Sequence, residues 1–596
     1  MAHLLSRRDL DFLLYEWLDI TSLTTRERFS AHSRETFDGV LDLSAELAEK
    51  LFAPHNKAGD QHPPYVGDDG KVVLIDDVKP ALDAYADADL IAAPFPADLG
   101  GLDLPMTISR ASMAWFQAAN PGTSSYALLT TANANLLVAH GTEEQIDTWV
   151  RPMLAGRYSG TMCLSEPQAG SSLADITTKA RPVGDGTYRI TGTKMWISAG
   201  EHELTDNIVH LVLAKAPGGG SGVKGISLFV VPKFLPDGTR NDVALVGLNH
   251  KMGNRGTTNT LLNFGDGTHR PDEGEPGAIG YLVGEEHRGL SYMFHMMNEA
   301  RIGVGFLATA IGYAGYLASV DYAKVRTQGR SIVAAQRADQ SGPSPIIEHA
   351  DVKRMLLAQK SYVEGALALG LYSSRLVDIE STSDGDERDR AHTLLELLTP
   401  IAKAWPSRWC TEANNLAIQV HGGYGYTTEF DVEQCYRDNR LNPIHEGTNG
   451  IQGLDLLGRK VTMNGGAGLA LLVETITATI DAAPADGEAA EFAAALRTAV
   501  DDLVATTAKL WTGADPTVAL TNSSVYLQAA GHIVIAWMWL EQLLAVGDAT
   551  GDFYDGKRAA ARYFFRFELP STGPQLELLR SLDQTTAETD PAWFTA

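Results

Sequence analysis

One carboxylate, Glu446, stands between His445 and Gly447 within Gln419–Arg459, QVHGGYGYTTEFDVEQCYRDNRLNPIHEGTNGIQGLDLLGR. A carboxylate in a dry pocket can act as a general base, because desolvation raises its proton affinity. A lone Glu is more commonly a solvated surface charge, so its surroundings must decide. Two Gly-rich turns, VHGGYGYTTE and HEGTNGIQ, bracket a charged segment of helical character. Two further stretches carry groups suited to a polar ligand. MCLSEPQAGSSLADI (162–176) begins on an apolar strand and ends in consecutive hydroxyls. Its backbone amides and the Ser165 and Ser171 hydroxyls suit a polar ring edge and phosphates. TGTKMWISAG (191–200) offers Trp196, which reads either as core or as a stacking platform, and Ser198 as a polar contact.

These stretches need elements to hold them. Residues 1–30 read as a short amphipathic helix and a turn, with Leu10, Phe12, Leu13, Trp17 and Leu18 at near-helical spacing. From Ala31 to about Gly156 the pattern is helical, broken at Pro54, at HPPY (62–65) and at PFPADLGGLDLP (94–105). After Tyr158 the texture changes to β-branched and aromatic runs, TYRITGTKMWIS, NIVHLVLAKA and GISLFVVPKF, which predict an antiparallel sandwich or barrel ending near Glu285. Helical periodicity returns at Gly289. Three long segments, 289–329, 348–379 and 389–421, predict an antiparallel bundle. The loop between the first two, GRSIVAAQRADQSGPSPI, carries its turn residues near Ser341 to Pro345. The last stretch, about 465–596, opens with GGAG as a flexible joint and is again helical.

A chain of 596 residues exceeds one core, so two to four domains are expected. The net charge is −26, and the tail from 465 holds 7 Lys/Arg against 17 Asp/Glu, net −10. That sign repels phosphate backbones and argues against nucleic-acid binding. Cys163, Cys410 and Cys435 are few and widely spaced, which points to a reduced, cytoplasmic protein. Arg7, Arg8, Asp9 and Asp11 interrupt any signal-peptide core, and no run of about 18 apolar residues predicts a membrane span. No HExxH or Cys cluster supports a metal site. GVGFLATA (303–310) has a GxGxxA look, but it sits inside a helical pattern rather than after a strand, so small residues for helix packing are the better reading. GGGSG (218–222) lacks a GK[ST] ending and reads as a hairpin loop.

Taken together, SEPQAGS, TGTKMWIS, VHGGYGYTTE and HEGTNGIQ stand in the order and approximate spacing of the flavin-dependent acyl-CoA dehydrogenases. The chain resembles that family over roughly residues 36–463. The resemblance implies an α+β multidomain fold: an N-terminal helical extension (1–35), an N-terminal helical domain (36–157), a middle antiparallel β domain (158–286), a C-terminal helical bundle (287–464) and an additional helical domain (465–596). It implies FAD as cofactor and the oxidation of a fatty acyl-CoA to trans-2-enoyl-CoA, with the α-proton taken by a carboxylate and hydride passing to flavin N5. Glu446 matches the base. Its backbone N–H, with a ribityl hydroxyl, is expected to hold the thioester oxygen. Leu164 and Ser165 are expected against the isoalloxazine ring, with Trp196 and Ser198 flanking it. Gly170 and Ser171 match positions near the phosphates or the CoA moiety. Arg326 matches a phosphate-binding Arg, although RTQGR here departs from the common RKTFG and leaves Gln328 unmatched. Gln419, Gly422 and Gly423 resemble the turn reaching the FAD of a neighbouring subunit, implying a homodimer or dimer of dimers. Thr448 matches a further FAD contact, Arg301 and Gly447 match substrate-side positions, and Gly450 stands where many relatives carry Gln.

Some branches of the family place the base directly before the Arg matched by Arg301. Here that residue is Ala300, which accepts no proton. Glu299, one position off, turns about 100° away on a helix. An electron-transfer flavoprotein is the implied acceptor. An acyl-CoA oxidase would share the first half-reaction and reoxidise with O2; oxidases typically have Asp after EG, where this chain has Thr448. A non-catalytic flavoprotein with a DNA-binding or assembly role is the other alternative, and the acidic tail disfavours the DNA-binding form. The tail and the N-terminal helix resemble the larger bacterial members of about 600 residues, the 3-methylmercaptopropionyl-CoA dehydrogenase-like group.

Overall fold

The computed structural model describes residues 4–184, 186–271, 275–330, 342–513 and 515–595. Most of the loop expected between Gly329 and Ile346, including Ser341, lies outside the described residues. The chain forms two compact units, Arg28–Gly303 and Met1–Glu27 with Val304–Ala596.

In the first unit, helices α1 (Met106–Ala119) and α2 (Pro121–His140) form a largely buried pair within the stretch expected to be helical. Asn120 starts α2: its side chain accepts from the Thr123 amide, and Pro121 occupies the first helical position, where no amide hydrogen is required. The break expected at HPPY (62–65) leads into a two-stranded hairpin pairing Tyr65–Val66 with Val72–Val73, which the helical reading of this region did not include. The Pro pair before it excludes helix, and Asp68–Gly70 supplies a turn with Gly70 at φ 77°.

Among the described residues, eight strands follow: β1 (Tyr158–Cys163), β2 (Lys179–Pro182), β3 (Thr187–Ser198), β4 (Asn207–Lys215), β5 (Ile226–Pro232), β6 (Val243–Leu248), β7 (Asn259–Phe264) and β8 (Ala278–Leu282). Their order is β8-β5-β4-β2-β3-β7-β6, and β8 also pairs with β3, so five strands close on themselves. Closure removes the free edges of those five strands, while β6 stays an edge beside β7. The pairing is not wholly antiparallel as the sequence texture suggested. β1 runs parallel to β4 over Tyr158–Cys163, and β2 touches β4 in parallel at Lys179. Strand composition does not encode pairing direction; here the chain leaves β1 by the SEPQAGSS turn rather than by a hairpin. The core carries Ile190, Val212, Phe229, Leu262 and Phe264. Asn133 of α2 fastens the helices to this sheet, donating to the Thr161 and Val209 carbonyls at 3.0 and 2.9 Å. A Cβ on Gly160 would strike that Asn side chain at 2.5 Å, so the approach requires glycine.

Three long helices, α3 (Gly289–Val325), α4 (Ala350–Thr382) and α5 (Gly385–His421), match the expected bundle segments. The GVGFLATA run serves helix packing: a Cβ on Gly305 would meet the Ala402 carbonyl at 2.1 Å, and just beyond the run one on Gly312 would meet Cys410 Cβ at 2.7 Å. Short helices α6 (Val432–Asn439) and α7 (Asn449–Asp455) follow. The tail adds α8 (Ala467–Asp481), α9 (Gly487–Trp511), α10 (Ser523–Val546) and α11 (Asp552–Tyr563). The expected flexible joint before α8 is a defined left-handed turn, with Asn464, Gly465 and Gly466 at φ 50°, 70° and 88°. The tail shares a core with the bundle. Trp537 and Trp539 of α10 are fully buried, and the Trp539 indole donates to the Ser361 carbonyl at 3.1 Å. Buried Lys557 of α11 pairs with Asp9 of the N-terminal segment and, at 2.9 Å, with Glu364 of α4.

Among the described residues, three helical segments would be able to cross a membrane by length and mean hydropathy, Gly289–Val325, Met463–Asp481 and Ser523–Val546, although no uninterrupted apolar run announced them. In the first and third, most of the apolar surface is buried inside the protein.

Candidate active site

The first unit holds the SEP turn and the Trp196 strand together through one buried lysine. Lys194 Nζ lies 3.1 Å from Glu166 Oε1 and donates to the Leu164 carbonyl at 3.0 Å; both charged side chains are inaccessible to solvent. Glu166 is saturated: the amides and hydroxyls of Thr177 and Thr178 all donate to it, between 2.6 and 3.0 Å. Burial alone would push this carboxyl up; Lys194 and those donors outweigh it and bring it down to about 2. Burial pushes the Lys194 ammonium below its ordinary value, against the pull of Glu166. The Met195 amide donates to the Ser165 carbonyl at 3.0 Å. Leu164 and Ser165 are therefore held to β3 through their backbone, which leaves their side chains unused by the staple. Gly170 and Ser171 are exposed beyond it.

Trp196 is not core. Its pairing with β7 slips between Lys194 and Ile197, and its φ of 66° places the ring outward, 59 % exposed. An L-residue in that left-handed region, forced there by a bulge, is a feature of functional strands. Ser198 Oγ accepts from Asn259 Nδ2 at 3.2 Å, and Asn259 Oδ1 in turn accepts from Asn249 Nδ2 at 2.8 Å. Arg301 is buried on α3. Glu299 is engaged elsewhere: Arg110 donates to one oxygen and Asn135 to the other, each at 2.7 Å.

The second unit carries Glu446. Its φ is 52° and that of Gly447 is 85°, two successive left-handed residues. A Cβ on Gly447 would meet the Gln452 amide nitrogen at 2.5 Å, so this turn needs glycine after the carboxylate. Lys403 of α5, fully buried, donates to the carbonyls of Asn442 and Gly447, both at 2.7 Å. Gln452 donates to the carbonyls of Glu446 and Gly447 at 3.2 and 3.3 Å. Thr448 caps α7, its hydroxyl accepting from the Ile451 amide at 3.3 Å. His445 is pushed down to about 3 by burial and then by the Lys403 charge, so it stands neutral beside Glu446. Gly450 is exposed, with the Thr448 hydroxyl as its near neighbour.

The same unit contains a cavity of about 450 Å³ that gathers Arg326, Gly422 and Gly423 with Tyr322, His421 and Tyr424. Gln328 also lines it. A Cβ on Gly422 or Gly423 would meet no protein atom within 4 Å, and Gly422 has φ 62°. The Arg326 guanidinium lies 5.7 Å over the Tyr424 ring. His421 stacks on Tyr322 at 4.2 Å. A cation, aromatic faces and a glycine cradle fit the phosphate and base of a dinucleotide, so the residues present suit one end of FAD. Gln419 is exposed near the end of α5, outside this lining.

Sequence reasoning missed Lys194, Glu166, Lys403, Gln452 and Asn259. Lys194 and Glu166 lie inside the quoted motifs, so a charged residue within strand β3 and another in the turn after β1 were the available signal; Lys403 had none in a long helix.

Four family descriptions match the chain in order: acyl-CoA dehydrogenase N-terminal domain (48–157), middle domain (161–266) and C-terminal domain (330–461), then an acetyl-CoA dehydrogenase C-terminal-like region (472–590). The 3-methylmercaptopropionyl-CoA dehydrogenase of Ruegeria pomeroyi is 35 % identical over 580 residues, covering 94 % of each chain. The broad-specificity linear acyl-CoA dehydrogenase FadE5 of Mycobacterium tuberculosis is 33 % identical over 623 residues, covering 100 % of each. The solved structure of an acyl-CoA dehydrogenase complexed with FAD from Bacillus anthracis superposes with a TM-score of 0.74 at 19 % identity, covering 98 % of this chain and 93 % of that one, a likeness of fold. With its helical, β and helical regions and its helical tail all matched in order, the chain belongs to the acyl-CoA dehydrogenase family and is an oxidoreductase of that class.

Proposed function

We propose that the enzyme oxidises the Cα–Cβ bond of a short, linear acyl-CoA to the trans-2-enoyl-CoA, with Glu446 as the base that removes the α-proton. FAD, when bound, supplies the hydride acceptor at N5. The observation that carries the reading is the Glu446 turn: two left-handed residues, fixed from below by Lys403 and Gln452, present a carboxylate beside a neutral histidine. A carboxylate so held keeps one geometry without a neighbouring imidazolium to lower its proton affinity. Ala300 removes the alternative base, and the Glu299 carboxylate is engaged by Arg110 and Asn135.

Leu164, Ser165, Trp196 and Ser198 hold the flavin ring, with Gly170 and Ser171 toward phosphates or CoA. Gln419, Gly422 and Gly423 serve the FAD of a neighbouring subunit, so the enzyme is a homodimer or dimer of dimers; Arg326 serves an FAD phosphate and Thr448 makes a further FAD contact. Arg301 and Gly447 serve the substrate. The shortness of the acyl chain is supported by the propionyl group in the name of the Ruegeria pomeroyi relative, and its linearity by the name of the Mycobacterium tuberculosis one. Electrons leave to an electron-transfer flavoprotein; Thr448, where oxidases typically carry Asp, supports this over O2. The three free cysteines support a cytoplasmic setting.

Anaerobic addition of acyl-CoAs of graded length to the yellow protein tests the reading. Short linear substrates should bleach the flavin band, and Glu446→Gln should keep FAD while bleaching about 10²–10⁴-fold more slowly. Full activity in that variant would move the base elsewhere. Rapid peroxide formation in air would convert the assignment to an oxidase.

A further inference from the structure

A line of three fully buried amides leads from helix α3 to the residue before the base. Asn414 Nδ2 donates to the Ile311 carbonyl at 3.1 Å. Asn439 Nδ2 donates to the Ala308 carbonyl at 3.0 Å and to Asn414 Oδ1 at 2.7 Å. Asn442 Nδ2 donates to Asn439 Oδ1 at 2.8 Å, and Asn442 Oδ1 lies 3.0 Å from His445 Nε2.

The direction of this chain can be deduced. Amide nitrogen and oxygen look alike, and only partners distinguish them. A backbone carbonyl can only accept, so Ile311 and Ala308 force the NH₂ ends of Asn414 and Asn439 toward α3. The remaining end of Asn439 is then its oxygen, which requires the Asn442 NH₂. That leaves the Asn442 oxygen for His445, and an oxygen there requires Nε2 to carry a hydrogen. In the neutral ring, Nδ1 is consequently the acceptor.

We propose that Asn414, Asn439 and Asn442 are positioning residues for the base: anchored on α3, they lock His445 as its neutral Nε2–H tautomer and thereby fix the turn that presents Glu446. The inference rests on Glu446 being the base. The arrangement has two effects. The ring is tied at Nε2 while Lys403 ties the carbonyls of Asn442 and Gly447, so both flanks of Glu446 are fixed to α3 and α5. The relay also ends in a neutral oxygen, which gives no ionic support to an imidazolium. The Lys403 ammonium disfavours that cation further. A positive charge at His445 would pull the Glu446 carboxyl down and weaken it as a base.

The test uses full-length holoenzyme labelled with ¹⁵N-histidine, the His445 signals being assigned by their loss in His445→Gln. At pH 7 the wild type should show a neutral ring protonated at Nε2. A ring protonated at Nδ1, or an imidazolium, overturns the proposal. Asn442→Asp replaces the terminal oxygen by a carboxylate and should convert His445 to the imidazolium. The acid limb of kcat should then move down by about one unit, with kcat several-fold lower and KM unchanged. A changed His445 signal with an unmoved limb also overturns the proposal. Asn442→Ser, a shorter neutral partner, should keep the limb of the wild type. The failure of the base assignment is read separately: Glu446→Gln would then bleach normally, whatever the tautomer.

Discussion

Lys194 in the β domain and Lys403 in the bundle are both fully buried, and each directs its ammonium group at the backbone of a turn that carries site residues. They differ in their partners. Lys194 divides its donors between the Leu164 carbonyl and a buried carboxylate, Glu166. Lys403 bridges two carbonyls, those of Asn442 and Gly447. The first arrangement is an ion pair whose attraction must offset the desolvation of two charges. The second ties two points of one turn together and shapes it. The β-domain staple is thus mainly a matter of stability, and the bundle staple mainly one of geometry at Glu446.

The largest effect expected from this contrast is that of Lys194→Met. It leaves Glu166 charged, buried and without its cation, which costs about 3–5 kcal/mol. Denaturant unfolding followed by far-UV circular dichroism would read the loss. Lys194→Met combined with Glu166→Leu should recover most of it, because the uncompensated charge is gone. If the double variant is as unstable as the single one, the pair does not act as an ionic staple.

Acid should distinguish the two lysines next. The Glu166 carboxyl is held at about 2, below its ordinary 4.5. A depressed carboxyl contributes stability that is fully present above pH 4.5 and is lost as pH falls toward about 2. The difference corresponds to about 3 kcal/mol. Unfolding free energy measured from pH 6 to pH 3 should fall in the wild type and fall less in Lys194→Met/Glu166→Leu. Parallel curves would show that Glu166 is not a principal acid-labile group.

Lys403→Met should act on rate more than on folding. Two carbonyls lose their donor, at about 1–3 kcal/mol in total where water or Gln452 partly replaces it. The Glu446 turn loosens, and a displacement of the base by about 1 Å can cost about 10²-fold. Single-turnover flavin reduction should therefore slow by about that factor with FAD retained. An unchanged rate would show that Gln452 alone fixes the turn.

The motifs were legible because short polar and glycine-rich runs survive as local strings: SEPQAGSS, TGTKMWIS and HEGTNGIQ each announce a turn or strand with unusual residues. The helices of the bundle were legible from their length and period. The staples were not. Lys403 lies in a helix where a lysine usually snorkels to water, and only the fold brings Asn442 and Gly447 beneath it. Trp196 was left open between core and platform because the bulge that turns it outward is a mismatch between β3 and β7, a property of two strands. The parallel pairing of β1 with β4 was hidden for the same reason. The union of tail and bundle through Lys557, Asp9 and Glu364 joins residues hundreds of positions apart, which no local pattern reveals.

The smallest effect concerns Ser198. Asn249 donates to Asn259 Oδ1, which turns the Asn259 NH₂ toward Ser198 Oγ. With that lone pair occupied, the Ser198 hydroxyl hydrogen is directed to an acceptor other than Asn259, and under the proposed function that acceptor is the flavin. Asn259→Leu keeps the volume and removes the donor. The hydroxyl then rotates among several partners, a loss of about 1 kcal/mol, or about five-fold in FAD affinity. Flavin fluorescence titration of the apoprotein would measure this, with Asn249→Leu expected to give a weaker change of the same sign. Because the β-domain staple is untouched, neither variant should shift the unfolding midpoint as Lys194→Met does. If Asn259→Leu binds FAD as tightly as the wild type, the amide pair orients Ser198 without consequence for the cofactor, and the flavin ring is held by Trp196 and the SEP turn instead.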